Sequence, residues 1–207
     1  MSKNINTVSH RACFGCGACA TKCPFSAIAM RTSPDGFEYP VVDAAKCTSC
    51  GLCLRTCPAE NRLDAVSEAI RAAVLQSDDS GELAQDGVDR VRHIGISDPA
   101  DIALLQKSKY VQSDASESYP GVLSDLKSGK LVLFSGTPCQ VSALRLYLGK
   151  PMDGLTTVSV VCHGVPSPSM LHSYVDWLEL REKSDVTALT FRDKSKYGWG
   201  HNIKIEL

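Results

Sequence analysis

Apolar and polar positions change rhythm along this chain. The segments AIAMR and GFEYPVV flank Ser33-Pro34-Asp35-Gly36, a turn signal, and together predict a β-hairpin. Residues 59 to 76 place Leu63, Val66, Ala69, Ile70, Ala73 and Val74 at helical spacing. The stretch from Ser77 to Asp89 is acidic, polar and glycine-containing, and predicts an exposed connection. From Val91 onward the pattern becomes that of an α/β protein. VRHIGI is a short strand candidate, a helix starts at Asp98-Pro99 and runs to about Lys107, and another spans Tyr119 to Lys127. KLVLF follows as a strand, and SGTPCQVSALRLYLGK reads as a strand end, a tight turn and a helix carrying Val141, Leu144, Leu146 and Leu148. TTVSVV is a second strand, a helix runs from Ser169 through Trp177 to about Glu182, and VTALTF is a third strand. Leu131 to Phe134 and Val158 to Cys162 are apolar enough to predict buried strands. Strands alternating with helices at these lengths imply a parallel sheet of βαβ units.

Length and charge narrow the partners. The 207 residues suffice for one or two modest domains, and 43% apolar content suffices for packed cores. Lys and Arg total 22 against 23 Asp and Glu, so no basic field is expected to attract nucleic acid or an anionic membrane. No apolar run reaches the length of a membrane span, and MSKNINTVSH has no apolar signal core. A cytoplasmic protein is expected.

Cysteine changes the picture. Of ten cysteines, eight fall between Cys13 and Cys57. Cys13, Cys16, Cys19 and Cys23-Pro24 repeat the spacing of Cys47, Cys50, Cys53 and Cys57-Pro58, with a period of 34 residues. Both runs have the C-x2-C-x2-C-x3-C-P form that binds iron–sulfur cubanes in bacterial ferredoxins. A tight loop turns three thiolates toward one cubane, while the fourth cysteine ligates the other cluster. The spacing therefore predicts two [4Fe-4S] clusters, one on Cys13, Cys16, Cys19 and Cys57, the other on Cys47, Cys50, Cys53 and Cys23. Gly15, Gly17 and Gly51 admit unusual dihedrals that bring backbone N–H groups to the sulfurs, and Pro24 and Pro58 end the helical turns. Structural zinc is the blander reading, but zinc sites separate their ligand pairs by a longer stretch. A disulfide framework is disfavoured without an export signal.

The other two cysteines, Cys139 in GTPCQ and Cys162 in VCHGVPSP, follow predicted strands, where parallel sheets bind ligands. Either alone is as well read as a small buried hydrophobe. His163 is placed to hydrogen-bond a cofactor or simply to face water. The Gly-Thr-Pro turn matches no phosphate-binding fingerprint.

SKYVQSD (Ser108 to Asp114), LVLFSGTPCQVSALRLYLGK (Leu131 to Lys150), VSVVCHGVPSPS (Val158 to Ser169) and FRDKSKYGWG (Phe191 to Gly200) resemble the coenzyme F-420 hydrogenase/dehydrogenase beta-subunit family. Members resembling it often carry an N-terminal two-cluster ferredoxin module. The resemblance implies a flavin-binding oxidoreductase in which FAD exchanges hydride with a deazaflavin or another two-electron carrier and clusters pass electrons singly. It places Gly136, Thr137, Pro138, Cys139, Gln140, Cys162, His163 and Gly164 beside the flavin or a further cluster, with Lys109, Arg192 and Lys194 as anion contacts. The serine/glycine-rich segment usual in that family before SKYVQSD is not found. The chain ends at Ile205-Glu206-Leu207 inside a predicted strand, so its second domain is expected to be truncated.

The expected architecture is an α+β ferredoxin-like domain (1–60), a helix and acidic linker (61–90) and an incomplete α/β parallel-sheet domain (91–207). The expected function is iron–sulfur electron transfer with a redox partner protein or subunit, as part of a flavin-linked oxidoreductase. The alternative is a noncatalytic ferredoxin-type carrier with a degenerate C-terminal docking domain.

Overall fold

The structure, a computed structural model, describes residues 3–61, 91–105 and 109–207. Helices and strands run in the order α1 (Ala18–Thr21), β1 (Ile28–Thr32), β2 (Glu38–Val42), α2 (Leu52–Thr56), α3 (Ile102–Leu105), α4 (Ser118–Lys127), β3 (Val132–Gly136), α5 (Pro138–Leu148), β4 (Leu155–Ser159), α6 (Pro168–Glu182), β5 (Ala188–Phe191) and β6 (Ile203–Glu206). The helix predicted over 59–76 and the connection Ser77 to Asp89 lie outside the described residues beyond residue 61. Two compact units result: residues 3–61 with 114–163, and residues 91–105 and 109–113 with 164–207. Among the described residues no helix is long and apolar enough to cross a membrane.

In the first unit β1 and β2 pair antiparallel, Ile28 opposite Val42 and Thr32 opposite Glu38. The turn between them closes as its residue types require. Gly36 adopts φ +82°, its N–H reaches the Ser33 carbonyl at 2.8 Å, and the Asp35 carboxylate accepts from Ser33, the Phe37 N–H and the Tyr39 hydroxyl. Ile5, Val8, Cys19, Ile28, Cys53 and Cys57 form one core of this unit. Its second core is built on α4 and α5, where Tyr119, Val122 and Leu126 meet Phe134, Val141, Leu144 and Tyr147 at helical spacing.

The parallel pairing expected after residue 130 is present as β3 beside β4, with Val132 opposite Leu155 and Gly136 opposite Ser159. Two features of this region differ from the sequence expectation. VTALTF does not extend the parallel sheet: its residues Ala188–Phe191 form β5, which pairs antiparallel with β6 in the second unit. The apolar runs are also only half buried. β4 ends at Ser159, Val161 is 95% exposed and Leu131 89%, whereas Phe134 is 5% exposed. The helices cover one face of the two-stranded ribbon, so side chains alternate between core and water along β3. VRHIGI supplies a single bridge residue, Arg92, and the helix predicted from Asp98 begins as a 3-10 turn over Pro99–Asp101 capped by the Asp98 side chain.

The second unit packs Leu171, Val175 and Leu178 of α6, at i, i+4 and i+7, against Val91, Val111, Val186 and Leu189. Ser167 caps this helix in extended conformation and Pro168 occupies its first turn, where a missing N–H costs nothing.

Candidate metal centre

The duplicated cysteine runs fold as duplicated loops. Gly17 and Gly51, equivalent in the repeat, precede α1 and α2 in the left-handed region at φ +72° and +73°. Each helix then carries the third cysteine of its run, Cys19 or Cys53, inward as a buried side chain. Ser49 takes φ +56° where its repeat partner Gly15 takes +60°, so the loop geometry is kept even where the residue is strained by it.

The fold brings the runs together crosswise. Cys57 lies within electrostatic reach of Cys13, Cys16 and Cys19. Cys23, Cys47, Cys50 and Cys53 line one cavity with Lys3, Asn4, Phe25 and Thr48, enclosing about 320 Å³ of non-atom space with its mouth included. Among the described residues no three of His, Cys, Asp and Glu converge on a single-ion position.

Burial opposes charge on the first group's sulfurs until a metal binds, while backbone and side-chain N–H groups are aimed at several sulfurs. Burial pushes the Cys16 thiol up to about 12, with the neighbouring Cys57, Cys13 and Cys139 adding smaller pushes and the Ala18 N–H opposing them. Burial raises Cys13 and Cys19 as well. Such thiols stay protonated until a cation displaces the proton. Donors are already aimed at several sulfurs: Gly15 N–H to Cys13 Sγ at 3.4 Å, Ala27 N–H to Cys23 Sγ at 3.4 Å, and Asn4 Nδ2 to Cys47 Sγ at 3.7 Å. The donor set and the N–H groups fit a cubane.

The first group is walled by the α4–α5 layer. The Tyr119 hydroxyl, fully buried, donates to the Cys16 carbonyl at 3.1 Å. Lys22 Nζ donates to the Tyr147 carbonyl at 2.7 Å and lies 4.4 Å from the centre of the Tyr147 ring. A Cβ at Gly17 would come within 2.7 Å of the Ser116 Cβ. None of Asn4, Ser116 or Tyr119 was singled out from the sequence, since each reaches its cysteine loop across 43 to 103 residues of chain or through space alone. A local motif carries no trace of such contacts.

The GTPCQ turn sits beside this wall. Gly136 closes β3, and a Cβ there would press Gln140 and Phe134 at 3.2 Å. Thr137 and Gln140 form a capping box: the Thr137 N–H and hydroxyl both donate to Gln140 Oε1, at 2.9 and 3.0 Å, and Pro138 fills the first turn of α5. Cys139 Sγ is 3.1 Å from the Thr137 hydroxyl and close enough to Cys16 to influence it. Cys162 and His163 are exposed on the loop leaving β4. Gly164, at φ +114°, belongs to the second unit. There Arg192 lies 5.4 Å from the Tyr110 ring centre with its Nε buried and unpartnered, Lys194 rests 4.0 Å over Trp199, and Lys109 is half-buried.

The comparisons with known proteins agree with the loops. Residues 12–61 match the family described as 4Fe-4S dicluster domain. Residues 129–207 match the family described as the C-terminal region of the coenzyme F420 hydrogenase/dehydrogenase beta chain. An iron–sulfur electron-transfer role follows from the dicluster match, and the C-terminal match falls on the region whose motifs resemble the coenzyme F420 hydrogenase/dehydrogenase beta subunit. Over 74 residues it is also 40% identical to a component of the Na(+)-translocating ferredoxin:NAD(+) oxidoreductase complex of Acetobacterium woodii. That alignment takes in 35% of this chain and 21% of the relative.

Proposed function

We propose that the chain is a flavin-linked oxidoreductase subunit that relays electrons between a redox partner subunit and a two-electron carrier such as a deazaflavin. In this reading Cys13, Cys16, Cys19 and Cys57 hold one [4Fe-4S] cluster, and Cys23, Cys47, Cys50 and Cys53 hold the other. The clusters supply one-electron steps, and FAD beside Gly136–Gln140 would couple them to two-electron chemistry. The cysteines bind the clusters as thiolates, and the N–H groups of Gly15 and Ala27 stabilise charge on Cys13 and Cys23. Tyr119 and the α4–α5 layer keep water from the first group, while Cys50, exposed at the second, leaves that side open to a partner.

The observation that carries the reading is the proximity of Cys139, in the GTPCQ turn, to Cys16 in the first cysteine loop. It supports a short path between cluster and flavin. The relative from Acetobacterium woodii is by name part of an oxidoreductase complex, which supports a partner subunit here. A second reading, a ferredoxin-type carrier without flavin, is favoured by the Thr137–Gln140 capping box, which explains two motif residues by helix termination alone.

Anaerobic purification with iron, sulfide and flavin measured on one sample separates them. About eight irons per chain with bound FAD support the oxidoreductase, and hydride acceptors can then be screened. About eight irons with no flavin, even after added FAD, leave the carrier.

A further inference from the structure

The second cysteine group receives a hydrogen bond from outside its own loop. Asn4 is 6% exposed and caps the 3-10 turn Ile5–Thr7, its Oδ1 accepting the Asn6 N–H at 3.1 Å. Capping needs only that acceptor. The Nδ2 of the same amide is directed at Cys47 Sγ, 3.7 Å away, and Asn4 lines the cavity with all four cysteines of the group. Lys3 lines that cavity too, and the Ile5 N–H is directed at Cys53. Ile5 itself, 2% exposed, anchors the segment in the core that contains Cys53 and Cys57. At the equivalent position of the first run, Cys13 Sγ takes its hydrogen bond from Gly15 in its own loop. The duplicated motif is therefore served differently at its two ends.

We propose that the N-terminal arm, Lys3 to Ile5, sets the reduction potential of the cluster on Cys23, Cys47, Cys50 and Cys53, with Asn4 as the positioning residue. This rests on the cluster reading above. Adding one electron makes the thiolate sulfurs more negative, so the N–H donors of Asn4 and Ile5 favour the reduced form and raise the potential. The two clusters of one duplicated module thereby differ in potential, and the difference gives the relay a direction.

The test is a potentiometric titration followed by electron paramagnetic resonance on the anaerobically purified full chain. Asn4→Asp keeps the capping acceptor, removes the donor and adds charge. Asn4→Ser keeps a capping oxygen without the added charge. Both variants are expected to retain two clusters by iron content and to lower the potential of one cluster while leaving the other in place. At fixed potential its reduced-to-oxidised ratio falls on the order of fivefold for the lost hydrogen bond, and further for Asn4→Asp. Both potentials at parental values, or both moved equally, would overturn the proposal. A parent protein without two four-iron signals would instead overturn the cluster reading.

Discussion

Gly17 and Gly51 occupy the same place in a repeated loop, yet their surroundings make them unequal. Both have positive φ, which costs a side chain about 1–2 kcal/mol. A Cβ at Gly51 has its nearest neighbour at 3.8 Å, the Lys3 carbonyl, whereas at Gly17 the Ser116 Cβ stands at 2.7 Å. Gly51→Ala is therefore expected to cost about the dihedral term alone, and Gly17→Ala to cost that plus an overpacking penalty of roughly 1–3 kcal/mol. Denaturant melts of the two variants check this, and equal losses would count against the observed packing. Protonation is argued at the same scale. Burial raises the Cys16 thiol to about 12, so the folded metal-free chain holds this proton more tightly than the unfolded chain. Its stability contribution is complete below the unfolded thiol range, near pH 9, and is lost as pH climbs toward 12. Metal-free protein should unfold more easily across that alkaline window, while cluster uptake, which expels thiol protons, should strengthen with pH. Urea midpoints at several pH values measure the first effect.

Among the elements, α5 and α4 do most to shape the first group. The α5 capping box satisfies donors at a helix start, so Thr137→Ala is expected to cost about 1 kcal/mol in denaturant stability. Bound FAD, where present, should survive that substitution if Thr137 is purely a cap, and diminish if the turn also holds flavin. On α4, Tyr119→Phe strips a buried hydrogen bond from the Cys16 carbonyl and should cost about 1–3 kcal/mol, the carbonyl being left unsatisfied. Faster loss of iron in air from this variant than from the parent is the expected readout. The hairpin and its turn were legible in the sequence because Ser33, Asp35 and Gly36 act through bonds to near neighbours. The third strand was not placed correctly. Its partner, Ile203–Glu206, is chosen by antiparallel register, which the apolar pattern of VTALTF does not encode.

At the scale of the molecule, the crossing of the two runs is the property to test. Replacing the fourth cysteine of a run should disable the cluster built on the other run. Cys57→Ser and Cys13→Ser are each expected to fall from about eight irons to about four and to leave a cluster of one and the same potential. Cys47→Ser should leave a cluster of the other potential. Matching residual spectra for Cys57→Ser and Cys47→Ser would refute the crossed assignment.

The sequence by itself determined the chemistry: eight thiols in two runs, the turns that bend those runs, and the α5 start at Thr137-Pro138. These are local, set by spacing, residue type and backbone dihedral, and so are written in consecutive residues. Only the tertiary structure decided which groups surround each run. Asn4 meets Cys47, Tyr119 meets Cys16 and Ser116 fills the space over Gly17 because cores built on Ile5 and on Leu144 fold those segments together. Hydrophobic burial, which drives that packing, is non-directional and leaves no motif in the chain.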